Sequence, residues 1–273
     1  MRSEQIENYT HYLKMLFNGH VNSVLCHSKA GLGKTYTTIK LLKQHSQQYK
    51  YSSGIATAVG LYKLLYDNND KVLVLDDIET IFQDERIINL LKAALWDVDG
   101  KRVVSYKSSS KTLEDYPDEF IYTGKIIILA NEIKGKVDES YKALMSRCLK
   151  YELTYTYKEI LEIAKVMVLE SNDLNPSQKT KVVDIMCKNI NPQHSFNFRL
   201  LRRLIAFVKY DMEKSEALFL SSLDVDEEIS ILIDVIKNND TVSEQVKAYK
   251  QLTGQSRMTF FRKKKKLKAD GVI

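Results

Sequence analysis

The sequence contains few of the residues that mark a disulfide-linked, zinc-binding or linker-rich protein. It has 3 cysteines, and Cys26, Cys148 and Cys187 lie far apart, without paired spacing or a histidine pattern. Neither a disulfide framework nor a zinc site is indicated, and we expect small buried residues at these positions. Only 3 prolines interrupt the chain, and there is no Gly/Ser linker or internal repeat. Any domains should therefore pack closely.

Long apolar runs are also missing. No stretch reaches the roughly 18 uninterrupted apolar residues of a membrane helix, and residues 1–14 are polar and mixed in charge, unlike a signal peptide. We expect a soluble, cytoplasmic protein with no membrane partner. The hydrophobic content of 44% is ordinary for a globular protein and sufficient for a sizeable core.

Over residues 1–153, short apolar segments alternate along the chain with segments whose apolar residues have helical spacing. The segment 21–26 is apolar and β-branched, and it leads through a glycine-bearing turn into the helix-compatible segment 35–44. Segments 71–75 and 125–130 are continuous apolar runs, which are typical of strands buried on both faces of a parallel sheet. The predicted fold class is α/β, with a parallel sheet between helices on both faces.

Beyond residue 153 the spacing changes to about 3.6 residues, which predicts an all-helical lid domain over residues 154–240. The predicted helices are Thr156–Glu170, Ser177–Asn189, Asn197–Met212 and Asp226–Lys237. Residues 241–273 form a third predicted unit of two helices.

The segment from Ser28 to Thr35 has the residues of a phosphate-binding loop. Gly31 and Gly33 allow backbone N–H groups to point at phosphate oxygens, Lys34 would neutralise the β- and γ-phosphates, and the Thr35 hydroxyl would bind Mg²⁺. Ser28 replaces the usual first glycine, a departure from the motif. The expected ATP-binding residues are consecutive: Ser28, Lys29, Ala30, Gly31, Leu32, Gly33, Lys34, Thr35 and Tyr36.

Two acidic residues follow the apolar run 71–75. A phosphate-loop enzyme needs one carboxylate for the magnesium shell and a base that orients the attacking water. We assign Asp76, with Thr35, to the metal and Asp77 to the base. Because aspartate is one methylene shorter than the usual glutamate, Glu79 stays open as the base.

Two more candidates follow along the chain. Asn131 ends the apolar run 125–130, where its amide could bind the attacking water or the γ-phosphate; capping of a turn is the alternative. Arg147, in the triplet Ser146-Arg147-Cys148, could reach the γ-phosphate of a neighbouring subunit.

These motifs, in this order and followed by a helical lid, resemble the AAA+ ATPase family over about residues 18–210. The Ser146-Arg147-Cys148 triplet is similar to the arginine-finger motif of clamp-loader subunits. The resemblance implies ATP and Mg²⁺ bound between subunits, a homo-oligomeric ring or spiral such as a hexamer, and a lid arginine that senses nucleotide. Arg199, at the start of the third lid helix, is the expected sensor, with Arg202 and Arg203 as competitors.

Positive charge is concentrated near the C-terminal end. The net charge is +6, and residues 257–268 contain seven basic side chains and no acid, which favours nucleic acid as a partner. We expect Gly254 to form a turn and Ser256 to cap a helix on which Met258, Phe261 and Leu267 pack inward. The expected DNA contacts are Arg257, Thr259, Arg262, Lys263, Lys264 and Lys266. The pattern resembles helix-turn-helix units of small replication and transcription regulators, and a solvated lysine-rich helix is the alternative.

Asp99-Gly100 is a turn signal, and it predicts a projecting hairpin. Such a hairpin could contact nucleic acid through Lys101, Arg102, Tyr106 or Lys107, or be an ordinary surface excursion.

These observations favour an ATP-hydrolysing protein that acts on DNA in replication, as a helicase loader, initiator or clamp-loader-like motor, with a replication protein as partner. The alternative is an ATP-controlled DNA-binding switch in transposition or transcription regulation, with little hydrolysis. A protein-remodelling ATPase is a third hypothesis, for which segment 54–62 is not diagnostic. High usage of lysine, asparagine and tyrosine is compatible with a viral or mobile-element origin.

Overall fold

A five-stranded parallel sheet organises the first half of the chain. The computed structural model describes residues 4–54, 57–77, 84–107, 111–131, 139–191, 194, 196–224, 226–269 and 273. The sheet has the order β2-β3-β6-β1-β7, and each neighbouring pair is parallel. Its strands are β1 (Ser23–Ser28), β2 (Tyr49–Ser53), β3 (Val72–Asp76), β6 (Lys125–Asn131) and β7 (Leu149–Glu152). The sheet belongs to a compact unit, Met1–Thr154, and a second unit comprises Tyr155–Ile273.

Helices pack against this sheet and complete the predicted α/β fold. They are α1 (Glu4–Phe17), α2 (Lys34–Gln44), α3 (Ala58–Asp67), α4 (Glu85–Leu95) and α5 (Glu139–Met145). The central strands β3 and β6 are buried along their apolar length, as their uninterrupted runs predict. The first strand was predicted two residues too early, since the ladder with β6 pairs Ser23 with Ile126 and ends with Ser28 opposite Asn131.

The chain segment 98–107, called the excursion below, packs against the core through part of its side chains. Asp99 and Gly100 have positive φ and turn the chain between bridged residues Val98 and Lys101. The following strand, β4 (Val103–Ser105), pairs antiparallel with β5 (Glu119–Ile121). A short 3-10 helix lies between them at Lys111–Leu113.

Of the four residues suggested for nucleic-acid contact in this segment, Arg102 and Tyr106 are directed inward, which corrects the hypothesis for these two, whereas Lys101 and Lys107 are exposed. Arg102 is only 8% exposed, and its guanidinium donates to the carbonyl of Ala94 at 3.0 Å. Tyr106 packs on Tyr62 with ring centroids 5.7 Å apart. Both side chains join the excursion to helices of the core.

The second unit is helical in every element that the structure describes there. Its helices are α6 (Tyr157–Glu170), α7 (Pro176–Asn189), α8 (Phe198–Tyr210), α9 (Ser215–Ser221), α10 (Glu227–Asn238), α11 (Val242–Thr253) and α12 (Arg257–Ala269). Capping boxes at Thr156 and Asn175 begin α6 and α7. Across the described ranges of both units, no helix combines the length and apolarity needed to cross a bilayer.

The last three helices, α10 to α12, share one small core. Leu232, Tyr249 and Phe260 come from the three helices in turn and are fully buried together. Gly254 ends α11 in the left-handed conformation, with φ of 69°, and Ser256 accepts a hydrogen bond from the backbone of Thr259, as a cap should.

The inward face of α12 differs from the prediction. Met258 is 81% exposed and Phe261 is 40% exposed, whereas Phe260 is buried. Phe260 and Leu267 lie seven residues apart in α12 and therefore share a face, which meets α10 and α11. The predicted burial of Leu267 is confirmed; that of Met258 and Phe261 is wrong.

Candidate functional site

A tight loop connects β1 to α2 at the carboxyl edge of the sheet. Gly31 and Gly33 have φ values of 79° and 85°, which glycine adopts without steric cost. Gly33 precedes α2 and provides no side-chain cap, so the N–H groups of the first turn have no side-chain acceptor from that position. The loop and helix start therefore present backbone donors and a positive dipole end, an arrangement suited to phosphate.

Lys34 lies within this loop and is only 7% exposed. Its ammonium group donates to the Ser28 hydroxyl at 2.9 Å, the Ser28 carbonyl at 3.3 Å and the side-chain oxygen of Asn131 at 3.2 Å. Ser28, which departs from the usual glycine, thus provides an additional acceptor for the ammonium group. The acceptors that the structure describes for this ammonium group are neutral, and an anionic phosphate can replace them.

Asp76 lies beside the loop at the end of β3 and is buried. One of its oxygens, Oδ2, accepts from the Thr35 hydroxyl at 2.6 Å and from the Tyr51 phenol at 2.9 Å. The other, Oδ1, accepts from the backbone N–H of Asp77 at 3.1 Å. A hydroxyl and a carboxylate in contact are the oxygen donors that Mg²⁺ prefers, so Thr35 and Asp76 fit the metal role expected of them.

Tyr51 is a member of this group that the sequence did not reveal. It lies on β2, and burial, together with its hydrogen bond to Asp76, raises the pKa of the phenol to about 12. A phenol is protonated at neutral pH even without this shift, so Tyr51 is the donor in its hydrogen bond to Asp76.

Asn131 joins Lys34 to Asp77. Its side-chain oxygen accepts from Lys34, and its amide nitrogen donates to Oδ1 of Asp77 at 3.2 Å. Asp77 has a positive φ of 52°, an uncommon conformation for a residue with a side chain, and such conformations are concentrated at functional sites. The alternative base, Glu79, lies outside the described residues.

Arg147 lies between α5 and β7, and its side chain folds against its own unit. The guanidinium group donates to the carbonyl of Ala143 and lies 5.8 Å from the ring centroid of Trp96. The Arg147 carbonyl accepts from the Ser23 hydroxyl at 3.1 Å. Among the described contacts, none joins Arg147 to the group around Lys34. Trp96 is 59% exposed, so the arginine lies next to an accessible surface.

Arg199 lies in the second unit, near the start of α8. Asn197 caps this helix by accepting from the backbone of Arg199 and Leu200. All three arginines considered for the nucleotide sensor are exposed, so exposure does not distinguish among them: Arg199, Arg202 and Arg203. In the first unit, Lys29 and Tyr36 are also exposed beside the phosphate-type loop.

The basic side chains of α12 are of two kinds: some contact other side chains of the unit, which we call the engaged cations, and others are exposed to solvent. Lys263 forms an ion pair with Glu228 at 2.5 Å, and Lys264 donates to the side chain of Gln245 at 2.6 Å. Lys263 lowers the pKa of Glu228, and a hydrogen bond from Tyr249 lowers it further. Among the described side chains of this helix, the exposed cations are Arg257, Arg262, Lys265 and Lys268. Thr259 is half-buried near the cap, and the side chain of Lys266 lies outside those described.

A phage protein is similar to this chain in sequence. No protein family model matches the chain. An uncharacterized 36.7 kDa protein from the nrdC-mobD intergenic region of Enterobacteria phage T4 is 30% identical over 217 residues. The match covers 72% of this chain and 66% of the phage protein, just under two-thirds of that protein's length.

Solved structures share the fold at low sequence identity. The Aeropyrum pernix ORC1 protein, solved in complex with DNA, matches with a TM-score of 0.52 and 12% identity, over 99% of this chain and 83% of that one. The Thermotoga maritima RuvB Holliday junction branch migration motor matches with a TM-score of 0.50 and 17% identity, over 93% and 82%. Similarity at this level shows a common fold.

Proposed function

We propose that this chain, which has the fold of AAA+ P-loop ATPases, hydrolyses ATP with Mg²⁺ between subunits of a homo-oligomer and acts on DNA in replication. One observation carries the proposal: Asn131 joins Lys34 to Asp77, while Thr35 contacts Asp76 beside them. The groups that we propose bind phosphate, bind the metal and orient water thus lie together at one edge of the sheet.

ATP phosphates would lie on the loop from Ser28 to Thr35. Backbone N–H groups of the loop and of the first turn of α2 would face the phosphates, and Lys34 would exchange Ser28 and Asn131 for phosphate oxygens. The Thr35 hydroxyl would hold Mg²⁺, and the Asp76 carboxylate would accept a hydrogen bond from a water of that ion. A bound Mg²⁺ would neutralise charge on the β- and γ-phosphates.

Water activation falls to the pair of Asp77 and Asn131. In this proposal the Asp77 carboxylate orients the attacking water and accepts its proton, while the Asn131 amide binds the water or the γ-phosphate. Arg147 of one subunit reaches the γ-phosphate on its neighbour, and Arg199 is the lid residue that senses nucleotide. Both arginines are exposed or next to an exposed surface, as these roles require.

The assignment of the base can be tested with two amide variants. Asp77→Asn should lower kcat about 100-fold, because removal of a general base typically costs 10²–10⁴-fold. ATP affinity should change less than about threefold, since this carboxylate does not hold phosphate. Glu79→Gln is the matched control and should retain most of its activity. The reverse pattern, with Glu79→Gln inactive and Asp77→Asn active, would assign the base to Glu79.

DNA is the proposed partner for two reasons. The two fold relatives are a branch migration motor for Holliday junctions and a protein solved in complex with DNA. In this chain, Arg257, Arg262, Lys265 and Lys268 form an exposed basic surface on α12, next to exposed Met258 and Phe261. Cations neutralise DNA phosphates, and apolar side chains at this surface can contact sugars and thymine methyl groups.

The exposed cations should carry DNA binding, and the engaged ones should contribute little. The double variant Arg262→Ala/Lys265→Ala should lower the slope of log affinity against log salt by about 2, at roughly 0.9 per lost phosphate contact. The double variant Lys263→Ala/Lys264→Ala removes the same charge but should lower this slope by less than about 0.5. Binding to a short fluorescent duplex at several salt concentrations measures both slopes. Equal slopes for the two variants would contradict the assignment of this surface.

A switch with little hydrolysis is the second candidate. Its supporting observation is Asp77 itself, whose shorter side chain is also held by Asn131. An aspartate that is one methylene shorter than the usual glutamate and is hydrogen-bonded to an amide would activate water poorly, so ATP hydrolysis would be slow. Bound ATP would then mainly control assembly on DNA, in transposition or transcription regulation. Hydrolysis that does not exceed the rate of the Lys34→Ala variant would favour this candidate.

A further inference from the structure

Tyr51 contacts the proposed metal carboxylate from a neighbouring strand. In the parallel ladder of β2 and β3, Tyr51 lies opposite Val74, and Ser53 lies opposite Asp76. The Tyr51 side chain therefore originates two residues before the strand end. Its phenol extends to Asp76 and donates to Oδ2 at 2.9 Å.

Among the described residues, the hydrogen bonds to Asp76 leave one acceptor position of the carboxylate unoccupied. A carboxylate oxygen can accept about two hydrogen bonds in its plane. On Oδ2, one is from Thr35 and the other from Tyr51. Oδ1 accepts from the backbone N–H of Asp77, which leaves one further acceptor position on this oxygen. A hydrogen atom of a metal-bound water fits that position.

We propose that Tyr51 is a positioning residue of the magnesium site: its phenol fixes the Asp76 carboxylate so that Oδ1 accepts from a metal-bound water while Thr35 donates to Oδ2. The inference rests on the proposed function of this site. Rotation about the last bond of an aspartate is soft, so a single partner would leave the carboxylate plane poorly defined. The Thr35 hydroxyl, by donating to Asp76, keeps its lone pairs directed at the metal.

A neutral donor suits this role better than a cation. Lysine or arginine on β2 would also orient the carboxylate, but it would cancel the negative charge that attracts Mg²⁺. The phenol restrains the side chain and leaves its charge unchanged. Tyr51 therefore acts on metal binding and not on contacts with the nucleotide phosphates.

The test is the magnesium requirement of the full chain carrying Tyr51→Phe, which keeps the ring and removes the donor. The Mg²⁺ concentration for half-maximal ATP hydrolysis should rise about tenfold, the effect of one hydrogen bond to a charged group. Rates at saturating Mg²⁺ should stay within about threefold of the unaltered chain, and ATP affinity in EDTA should not change. Tyr49→Phe, on the same strand, is the matched control and should keep the original requirement.

A double-variant cycle separates positioning from general stability. The gain in ATP affinity on adding Mg²⁺ is measured for the unaltered chain, Tyr51→Phe, Asp76→Asn and the double variant. If Tyr51 acts through Asp76, its replacement should have no further effect in the Asp76→Asn chain. This gain does not need hydrolysis, so a chain that binds ATP but does not hydrolyse it would refute the proposed enzyme and still test Tyr51. An unchanged magnesium requirement in Tyr51→Phe, or equal effects with and without Asp76, would overturn the inference.

Discussion

Replacing Lys34 with alanine is expected to abolish ATP hydrolysis and to weaken ATP binding about 100-fold. The ammonium group lies at the loop, held by Ser28 and Asn131, and phosphate oxygens should replace these acceptors. Charge-assisted contacts to two phosphates together account for a loss of about two powers of ten in affinity. No other described cation in this loop is buried, so no neighbour can take over the role.

Lys29→Ala is the matched control: the loop would bind phosphate through its backbone at this position, which the substitution keeps, and the same charge is removed from an exposed side chain. Thermal unfolding with and without Mg²⁺ and ATP measures binding, because a ligand that binds only the folded state raises the melting temperature. The unaltered chain and Lys29→Ala should be stabilised by nucleotide, and Lys34→Ala should not. An equal shift in all three proteins would show that ATP binds elsewhere.

Replacing Arg147 with alanine should lower kcat about 1,000-fold while ATP affinity changes less than about threefold. A guanidinium group supplied to a neighbour's γ-phosphate stabilises transition-state charge and typically contributes 10³–10⁵-fold to kcat. In the single chain, Arg147 contacts Ala143 and Trp96, so its loss leaves its own phosphate loop intact. Lys142→Ala, which removes an exposed cation of α5, is the control and should keep normal rates.

Mixing Arg147→Ala with Lys34→Ala tests whether Arg147 acts at the ATP site of a neighbouring subunit or at the site of its own subunit. Each variant retains the half of the interface that the other has lost, so mixed assemblies should regain part of the activity. The regained rate should depend on the mixing ratio and vanish on dilution. Full inactivity of every mixture, with both variants folded and assembled, would place Arg147 in another role.

The tight loop between β1 and α2, our candidate phosphate loop, could be located from sequence because its geometry is local. Gly31, Gly33, Lys34 and Thr35 lie within five residues, and the preceding strand and following helix are continuous patterns. Asp76 and Asn131 were also predictable, because carboxyl ends of buried parallel strands meet at one sheet edge. Their proximity follows from the order of β3, β6 and β1, and the structure agrees.

Tyr51 was not predictable, because β2 is an edge strand with the polar sequence Tyr-Lys-Tyr-Ser-Ser and no apolar run. Its contact with Asp76 joins residues 25 positions apart and depends on strand pairing. The engaged lysines of α12 were missed for the same reason, since Lys263 meets Glu228 only when α10 packs against it. Between Phe260 and Phe261, which are adjacent, packing against α10 and α11 decides which is buried.

Hydrolysis of ATP by the unaltered chain with Mg²⁺ tests the central claim most directly. The rate per chain would be measured over a range of protein concentrations, with and without DNA, with Lys34→Ala as the blank. The account predicts a rate above the blank that rises with protein concentration, as an active site shared between subunits requires, and rises again with DNA. A rate equal to the blank at every concentration, in protein that is folded and binds ATP, would contradict it.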